Sequence, residues 1–307
     1  MSAFNSPNFD GRKRGGKHFQ VPSTPNLKLI GHGTGVHVYQ WDRSGRRDIE
    51  QSPWALKKAF KEYSRPLITK RMEIEANILK KMDHPNIVGF RAYMKSDTGR
   101  AVLAMEECGI SLGDLIENRN ENKLGPFEPS LILKVILSVC KGLHYLHTEK
   151  KIIHGDLKSY NILIKGDFNQ IKLCDFGVSF PIGDDGEIED YVGTLCWSAP
   201  EVLVSGPITA KADIFALGLT IWEMLSLRPP HSPSDECCEQ IESNTLSEND
   251  FRSEREYAYG TRPDVPENLS EEYKIIIDIF RWCTEADYLN RPDAKDLINS
   301  IEAIMNK

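Results

Sequence analysis

Two short segments in the middle of the chain carry polar residues at a spacing that suits phosphoryl transfer. Within residues 152–161, Asp156 is followed by Lys158 and Asn161, and within residues 172–177, Asp175 precedes a Phe-Gly pair. An aspartate can accept a hydroxyl proton and a lysine can steady a γ-phosphate, while an asparagine and a second aspartate can hold Mg²⁺. The segments predict chemistry on ATP with Mg²⁺, with Asp156 and Lys158 as catalytic residues and Asn161 and Asp175 as metal ligands.

A glycine cluster near the start of the chain could bind nucleotide phosphates. Gly31, Gly33 and Gly35 occupy a predicted turn between two strands, where glycines let backbone N–H groups approach phosphate oxygens. The cluster departs from the G-x-G-x-x-G pattern, because Val36 occupies the third glycine position. Glycine-rich hairpins are common, so the cluster alone does not establish nucleotide binding.

One lysine on the following predicted strand could point beneath this turn. Strand alternation places Ala55 and Lys57 on one face and Lys58 on the other. A lone lysine on a strand is normally a solvent-facing charge. Glu75, however, follows within an apolar helical stretch and is a candidate ion-pair partner that would fix the Lys57 ammonium against a triphosphate.

The elements that must position these residues change character along the chain. Five short apolar segments separated by turns predict an antiparallel sheet, at residues 27–30, 36–41, 54–60, 87–93 and 101–105. Between the third and fourth segments, apolar residues recur at helical spacing from Ile68 to Met82. After Glu107 the pattern becomes mainly helical, and residues 214–227 are apolar on nearly every side, which indicates a buried helix.

Composition and charge limit the class of protein. The chain has 307 residues, a formal charge of -7 and seven cysteines. The acidic balance argues against nucleic acid as a partner, and without a run of 18 apolar residues no membrane span is expected. An odd cysteine count without a pairing pattern favours reduced thiols, so we expect a cytoplasmic or nuclear location.

Two stretches lack apolar periodicity. Residues 1–25 are rich in Ser, Pro, Asn and Gly and predict a disordered tail, in which Ser6-Pro7 and Thr24-Pro25 are candidate targets of a proline-directed kinase. Its basic triplet Arg12-Lys13-Arg14 is read as a solvated segment, with a nuclear address as the alternative. Residues 232–256 are acidic and predict a surface insertion, with docking of a basic partner as the alternative.

Taken together, these motifs resemble the eukaryotic protein kinase family. The Gly cluster, Lys57, Glu75, the Asp156 loop and Asp175 occur in the family's order, and Ser198-Ala199-Pro200-Glu201 is similar to its A-P-E signature. The resemblance implies an α+β, bilobal fold over residues 26–303: an N-lobe of residues 26–107, an antiparallel sheet with one main helix, and a larger, mainly helical C-lobe of residues 108–303. Further motifs, including Gly260-Thr261-Arg262-Pro263, resemble a mitotic branch related to MAP kinase kinases.

The same resemblance implies further site residues. Ile30 and Val38 would flank the nucleotide at the glycine turn, Glu106 and Cys108 would belong to a hinge that binds adenine, and Met105 would be the gatekeeper behind it. Cys174 would also line the nucleotide cleft, which makes it and Cys108 the first places to look for covalent modification. His154 is read as a packed or backbone-bonded histidine of the core. Glu201 would form an ion pair with Arg291.

One departure from the family bears on regulation. Most protein kinases place an arginine before the catalytic aspartate, where it binds a phosphate on the activation loop, but Gly155 stands there in this sequence. Without a guanidinium, a phosphate on the loop loses its usual partner. We therefore expect activity to depend little on phosphorylation of residues 178–196. The alternative is that another cation, such as Lys172, replaces the arginine.

The type of substrate hydroxyl is indicated by the same region. Lys158 and Gly193-Thr194 resemble serine/threonine kinases, in which the threonine hydroxyl would bond to the catalytic aspartate and lysine, whereas Trp197 resembles tyrosine kinases. Serine/threonine transfer is favoured, with dual specificity as the alternative. A pseudokinase scaffold is a second alternative, but the intact set of catalytic residues argues against it.

The expected partners follow from this assignment. They are protein substrates, with MAP kinases as candidates. The chain ends in Asn306-Lys307, and because a PDZ groove takes an apolar last side chain, no PDZ partner is expected.

Overall fold

A computed structural model of the chain describes residues 27–33, 35–43, 53–59, 66–95, 100–182, 193–232 and 258–306. The predicted tail, most of the acidic insertion and the middle of the activation segment, residues 183–192, lie outside the described residues. Two lobes are present, and the larger one is mainly helical. This arrangement confirms the predicted α+β, bilobal class.

The smaller lobe is built on a five-stranded antiparallel sheet. Its strands have the spatial order β1-β2-β3-β5-β4. One helix, α1, packs against β4 and β5. The elements are β1 (Lys28–Gly33), β2 (Val36–Trp41), β3 (Trp54–Ala59), α1 (Pro66–Leu79), β4 (Phe90–Lys95) and β5 (Ala101–Glu106).

Strand β4 begins three residues later than the sequence predicts. It was expected to start at residue 87, but β4 starts at Phe90, and Ile87 instead makes an isolated parallel bridge to Leu173 of the larger lobe. The N–H of Val88 also donates to the Leu173 carbonyl at 3.0 Å. This apolar segment therefore joins the two lobes, and a pattern of apolar residues cannot distinguish that role from a place in the sheet.

The larger lobe combines helices with short strand pairs. Its helices are α2 (Leu112–Glu121), α3 (Pro129–His144), α4 (Pro200–Leu203), α5 (Ala210–Ser226), α6 (Lys274–Cys283) and α7 (Ala294–Met305). Its strands are β6 (Ile110–Ser111), β7 (Ile152–Ile153), β8 (Ile162–Lys165), β9 (Gln170–Leu173) and β10 (Phe180–Pro181). Sequence analysis did not predict these strands, because runs of two to four residues are too short to show a period.

Helix α5 is the centre of the larger lobe. Every residue from Ala212 to Leu225 is buried, as its uninterrupted apolar character predicts. Thr209 caps its first turn by accepting the N–H of Lys211, and Leu227 ends it in a left-handed conformation, with φ of 57°. Because this helix contacts α3, α6 and β7, groups on it can fix the loops that surround the site.

One helical segment, Pro129–Lys150, is long and apolar enough by length and composition to cross a membrane. It comprises α3 and a following π-helical turn, Tyr145–Lys150. Pro129 stands at the first helical position, where its missing N–H costs no hydrogen bond. Eight residues of α3 are buried against the rest of the lobe. Packing in the core explains why this segment is apolar, so its apolar character is only weak evidence for a membrane span.

A buried ion pair fastens the start of α4 to the segment that precedes α7. Arg291 donates from two nitrogens to the two carboxylate oxygens of Glu201, at 2.7 and 2.8 Å, and its guanidinium lies over the Phe215 ring. The Arg291 side chain is fully buried. The pair implied by the family resemblance is therefore confirmed.

We expect Arg291→Ala to lower the free energy of unfolding by about 3–5 kcal/mol, because it leaves the Glu201 carboxylate buried without its partner. Lys141→Ala is a matched control that breaks the half-exposed pair with Glu302 and should cost at most about 1 kcal/mol. Urea denaturation of both variants measures the difference. Equal losses would contradict the importance of the buried pair.

Candidate active site

A cavity of about 960 Å³ lies between the two lobes. The glycine turn and the sheet line one side, and the loop that contains Asp156 lines the other. All but one of the predicted site residues line it: Ile30, Gly31, Gly33, Val38, Lys57, Glu75, Met105, Glu106, Cys108, Asp156, Lys158, Asn161 and Asp175. The fold thus brings together residues that are up to about 145 positions apart in sequence, by subtraction of their numbers.

Gly35 is the exception, and its place in the nucleotide site stays a prediction. It does not line the cavity. Its φ of +78° favours glycine, and a Cβ there would clash with the Ile68 side chain on α1. Gly35 therefore allows the hairpin to turn closely over α1. Val36, which follows it, lines the cavity instead.

Lys57 is held by two carboxylates. Its Nζ donates to Glu75 Oε2 at 2.8 Å and to Asp175 Oδ1 at 2.9 Å. Burial alone would lower the pKa of Lys57, but the charges of Asp175 and Glu75 and their hydrogen bonds outweigh it and raise the pKa above its ordinary value. The ammonium is therefore charged and fixed in the cavity wall.

The two carboxylates respond differently to this shared cation. Burial raises the pKa of Glu75 to about 7, although Lys57 opposes the change. For Asp175, burial would also raise the pKa, but the charge and hydrogen bond of Lys57 outweigh burial and lower it. Asp175 is also the more exposed of the two, since 41% of its side-chain surface is accessible. Asp175 therefore presents a negative charge to the cavity.

Asp156 is the centre of a second cluster. Its Oδ1 accepts the Thr194 hydroxyl at 2.6 Å, and its Oδ2 accepts the Lys158 ammonium at 2.9 Å. Lys158 also donates to the Thr194 hydroxyl at 2.6 Å, so three side chains form a closed triangle. The bond predicted for Thr194 is confirmed. Asn161 joins the cluster by donating from Nδ2 to Asp156 Oδ2 at 3.1 Å.

Asp213, in the first turn of α5, binds the two residues that precede Asp156. Its carboxylate accepts the N–H groups of His154 and Gly155, at 2.9 and 3.0 Å, and bonds to His147 Nε2 at 2.8 Å. Burial would raise the pKa of Asp213, but the His147 bond and the Gly155 N–H lower it. His154 is fully buried, and its Nε2 bonds to the Cys174 carbonyl at 3.0 Å, so the reading of it as a core histidine is confirmed.

The residues fit a metal that arrives with a nucleotide. Mg²⁺ keeps several waters and is usually held by one or two carboxylates together with substrate phosphates. Asp175 supplies an ionised, accessible carboxylate, and the Asn161 amide oxygen is a second possible ligand. Within the described parts of the chain, no group of three or more His, Cys, Asp or Glu side chains could hold a metal. This protein set alone is therefore too small for a dedicated metal cage.

Two lysines of the larger lobe hold the hinge, and sequence analysis missed this role. Lys172 on β9 donates to Glu106 Oε2 at 2.9 Å, and Lys165 on β8 donates to Glu107 Oε2, also at 2.9 Å. Glu106 also accepts the N–H of Gly89 at 3.1 Å. Lys172 is thus engaged at the hinge in this structure, and the alternative in which it replaces the missing arginine at the activation loop stays a prediction, because residues 183–192 of that loop lie outside the described residues.

The two cleft cysteines are neutral thiols. Cys108 and Cys174 both line the cavity, as expected. Burial raises the pKa of Cys108 to about 12, and burial also raises the pKa of Cys174 well above its usual value. The thiolate is the reactive form of cysteine, so neither residue is activated for modification. The five described cysteines, 108, 140, 174, 196 and 283, are all free.

Gly155 is required by its conformation and by its neighbours. Its φ is +79°, and a Cβ at this position would lie 3.1 Å from the Phe180 ring and 3.2 Å from the Val178 carbonyl oxygen. Phe180 belongs to β10, which pairs with β7 just before Gly155. The start of the activation segment is thus fastened by strand pairing and by an aromatic ring packed against Gly155.

Comparison with known proteins identifies the family. The family model described as "Protein kinase domain" matches residues 25–301, which is most of the chain. The chain belongs to the protein kinases. It is an ATP-dependent enzyme of the serine/threonine class, as its motifs predicted.

Three relatives illustrate its place in the family. Lymphokine-activated killer T-cell-originated protein kinase of Homo sapiens is 45% identical over 296 residues, or 92% of this chain and 90% of the human protein. Serine/threonine-protein kinase Nek10 of Mus musculus is 31% identical over 78% of this chain and 20% of its own length. Mitogen-activated protein kinase kinase kinase 12 of Rattus norvegicus is 31% identical over 74% of this chain and 23% of its own length.

We expect Gly155→Ala to destabilise the kinase more than Gly125→Ala. Both glycines have positive φ, so both changes carry a backbone cost of about 1–2 kcal/mol. Gly125 has no neighbour within 4 Å, whereas at Gly155 the Phe180 ring must move, which adds about 1 kcal/mol. Thermal and urea unfolding of both variants test this, and equal losses would show that Phe180 does not pack against this position as described.

We also expect the kinase to keep most of its transfer rate after phosphatase treatment. The Phe180 contact and the β7–β10 pairing anchor the activation segment without a phosphate, and Gly155 provides no guanidinium to bind one. Rates of treated and untreated protein, with mass spectrometry to confirm removal of phosphate from residues 178–196, provide the measurement. An inactive dephosphorylated form would refute this expectation.

Proposed function

We propose that the kinase transfers the γ-phosphoryl group of ATP to serine and threonine hydroxyls of protein substrates, with Asp156 as the catalytic base. The observation that carries the proposal is the Asp156–Lys158–Thr194 triangle at the edge of the interlobe cavity. It combines a proton acceptor, a cation for phosphate oxygens and a hydroxyl that fixes both.

The chemistry depends on positioning and electrostatics. Asp156 would accept the proton of the substrate hydroxyl as it attacks the γ-phosphate, and Lys158 would stabilise the negative charge on the transferred group. Lys57 would orient the other phosphates, with Glu75 fixing its ammonium. Mg²⁺, held by Asn161 and Asp175 with the phosphates, would neutralise phosphate charge. Such preorganised charges are effective because they need no rearrangement during the reaction.

The hinge would bind the adenine ring. Met105 is buried at the end of β5, and Glu106 and Cys108 follow it at the border of the cavity. The carboxylates of Glu106 and Glu107 are both paired with lysines, so recognition of a nucleobase would fall to the backbone of the hinge. Ile30 and Val38 would cover the ring from the sheet side.

The contacts of Thr194 favour serine and threonine over tyrosine. Its hydroxyl lies 2.6 Å from both Asp156 Oδ1 and Lys158 Nζ, which fixes the activation segment against the catalytic aspartate. This arrangement is the one that the resemblance to serine/threonine kinases implies. Because Trp197 resembles tyrosine kinases, dual specificity is the second candidate.

The names of relatives such as mitogen-activated protein kinase kinase kinase 12 are consistent with a place in MAP kinase signalling.

The biological setting is proposed by similarity. The substrates would be proteins of the cell cycle or of MAP kinase signalling, in the cytoplasm or the nucleus. Phosphorylation of Ser6 or Thr24 by a proline-directed kinase would regulate the enzyme through its tail, which lies outside the described residues.

We expect Asp156→Asn to lower the transfer rate at least about 100-fold, because an amide cannot accept the proton. The measurement is radiolabel transfer from ATP to myelin basic protein. Asp278→Asn, at an exposed position on α6, is the matched control and should keep the wild-type rate. Transfer that survives Asp156→Asn would refute the assignment of the base.

Phosphoamino-acid analysis of the labelled protein should show phosphoserine and phosphothreonine without phosphotyrosine. The reason is that the bonds of Thr194 to Asp156 and Lys158 follow the pattern of serine/threonine kinases. Phosphotyrosine in the substrate at a comparable level would favour the dual-specificity alternative. The Asp156→Asn protein serves as the control for labelling by a contaminating kinase.

A further inference from the structure

Glu223 is an acidic residue in the middle of the buried, apolar helix α5. Only 2% of its surface is exposed. The Ser159 hydroxyl donates to its Oε1 at 2.7 Å, and the indole N–H of Trp197 donates to its Oε2 at 2.8 Å. Ser159 and Trp197 are buried as well. A carboxyl in such a place is costly unless hydrogen bonds satisfy it, so both contacts are required.

The two donors belong to different segments of the active site. Ser159 directly follows Lys158 and begins the 3₁₀ turn Ser159–Asn161. Trp197 ends the 3₁₀ turn Leu195–Trp197, and its backbone N–H donates to the Thr194 carbonyl at 3.0 Å. Glu223 thus bonds to the immediate neighbourhood of both Lys158 and Thr194.

We propose that Glu223 is a positioning residue for phosphoryl transfer, which aligns the catalytic loop through Ser159 and the activation segment through Trp197. The inference rests on the proposed function. Displacement of Ser159 would move Lys158 and Asn161, which both bond to Asp156. Displacement of Trp197 would move Thr194 and the surface that receives the protein substrate. Loss of the Ser159 bond should therefore affect the transfer step, and loss of the Trp197 bond should affect binding of the protein substrate.

Glu223 complements Asp213 on the same helix. Asp213 binds the N–H groups of His154 and Gly155, on the N-terminal side of Asp156, and Glu223 binds Ser159 on its C-terminal side. The catalytic loop has no regular secondary structure between these points. Two carboxyl groups on one rigid helix consequently fix both ends of the segment that contains Asp156 and Lys158.

The protonation of Glu223 suits this role. Burial raises its pKa to about 8, although the bonds from Ser159 and Trp197 and the nearby charge of Lys158 oppose the change. Tyr160 is the other titratable neighbour, from the same loop. A neutral carboxyl can accept from the indole N–H and donate to or accept from the serine hydroxyl. Glutamine offers the same pattern of donors and acceptors.

The test compares four variants of the full chain by steady-state transfer from MgATP to myelin basic protein. Ser159→Ala should lower kcat about tenfold with little change in KM, and Trp197→Phe should raise KM for the protein substrate about fivefold without changing KM for ATP. Glu223→Met should show both effects, whereas Glu223→Gln should retain most of the wild-type activity. Adding Ser159→Ala to Glu223→Met should produce no further loss, because their shared bond is already gone.

Thr220→Val is the matched control on the same helix. The Thr220 side chain is equally buried, but its hydroxyl bonds only within α5, to the Ala216 carbonyl at 3.0 Å. It should change thermal stability without changing kcat or KM. If Ser159→Ala and Trp197→Phe behave like this control, the positioning role is overturned, even if Glu223→Met does not fold. A wild-type protein without transfer would instead refute the proposed function.

Thermal unfolding as a function of pH provides a second readout. A carboxyl whose pKa is raised by folding stabilises the protein fully below its unfolded pKa, and this contribution is lost as the pH rises through about 8. Between pH 6 and pH 9, the melting temperature of the wild type should therefore fall more than that of Glu223→Gln, whose amide does not titrate. Parallel curves would show that Glu223 is not the neutral, buried group described here.

Discussion

The hydrogen bonds from the His154 and Gly155 N–H groups to Asp213 are the contact on which the active site depends. A catalytic loop must expose Asp156 and Lys158 to substrate, so it cannot satisfy its own backbone groups in a helix or sheet. A buried carboxylate on α5 satisfies them instead. Helix α5 is buried along nearly its whole length and is tightly packed, so the loop that bonds to it is held rigidly as well.

The cleft distributes its charges so that each is held by an opposite one. Lys57 is shared between Glu75 and Asp175, Lys158 is paired with Asp156, and the hinge carboxylates are paired with lysines. Fixed charges of this kind stabilise a transition state without reorganising. They also make the free site sensitive to the loss of any one partner, since an uncompensated charge would remain in a largely buried place.

Much of the site followed from residue type and spacing alone. Short steps between Asp156, Lys158 and Asn161 identified the chemistry, and strand alternation selected Lys57 over Lys58. Boundaries were less accurate where one pattern suits two structures: the apolar segment from Ile87 bridges to Leu173 and does not begin β4. Glycines near a turn look alike in sequence, so the packing of Gly35 over Ile68 could not be predicted.

Glu223 is the clearest case of a residue whose role could not be derived from sequence. An acidic side chain within a long apolar helix is a signal that something compensates it, but the pattern does not say what. The sequence by itself determined the class of chemistry and the residues that perform it, because their types and local spacing are properties of one segment at a time. Only the tertiary structure decided the partners of Lys172, Gly35, Gly155 and Glu223, because each of those contacts joins segments far apart in the chain.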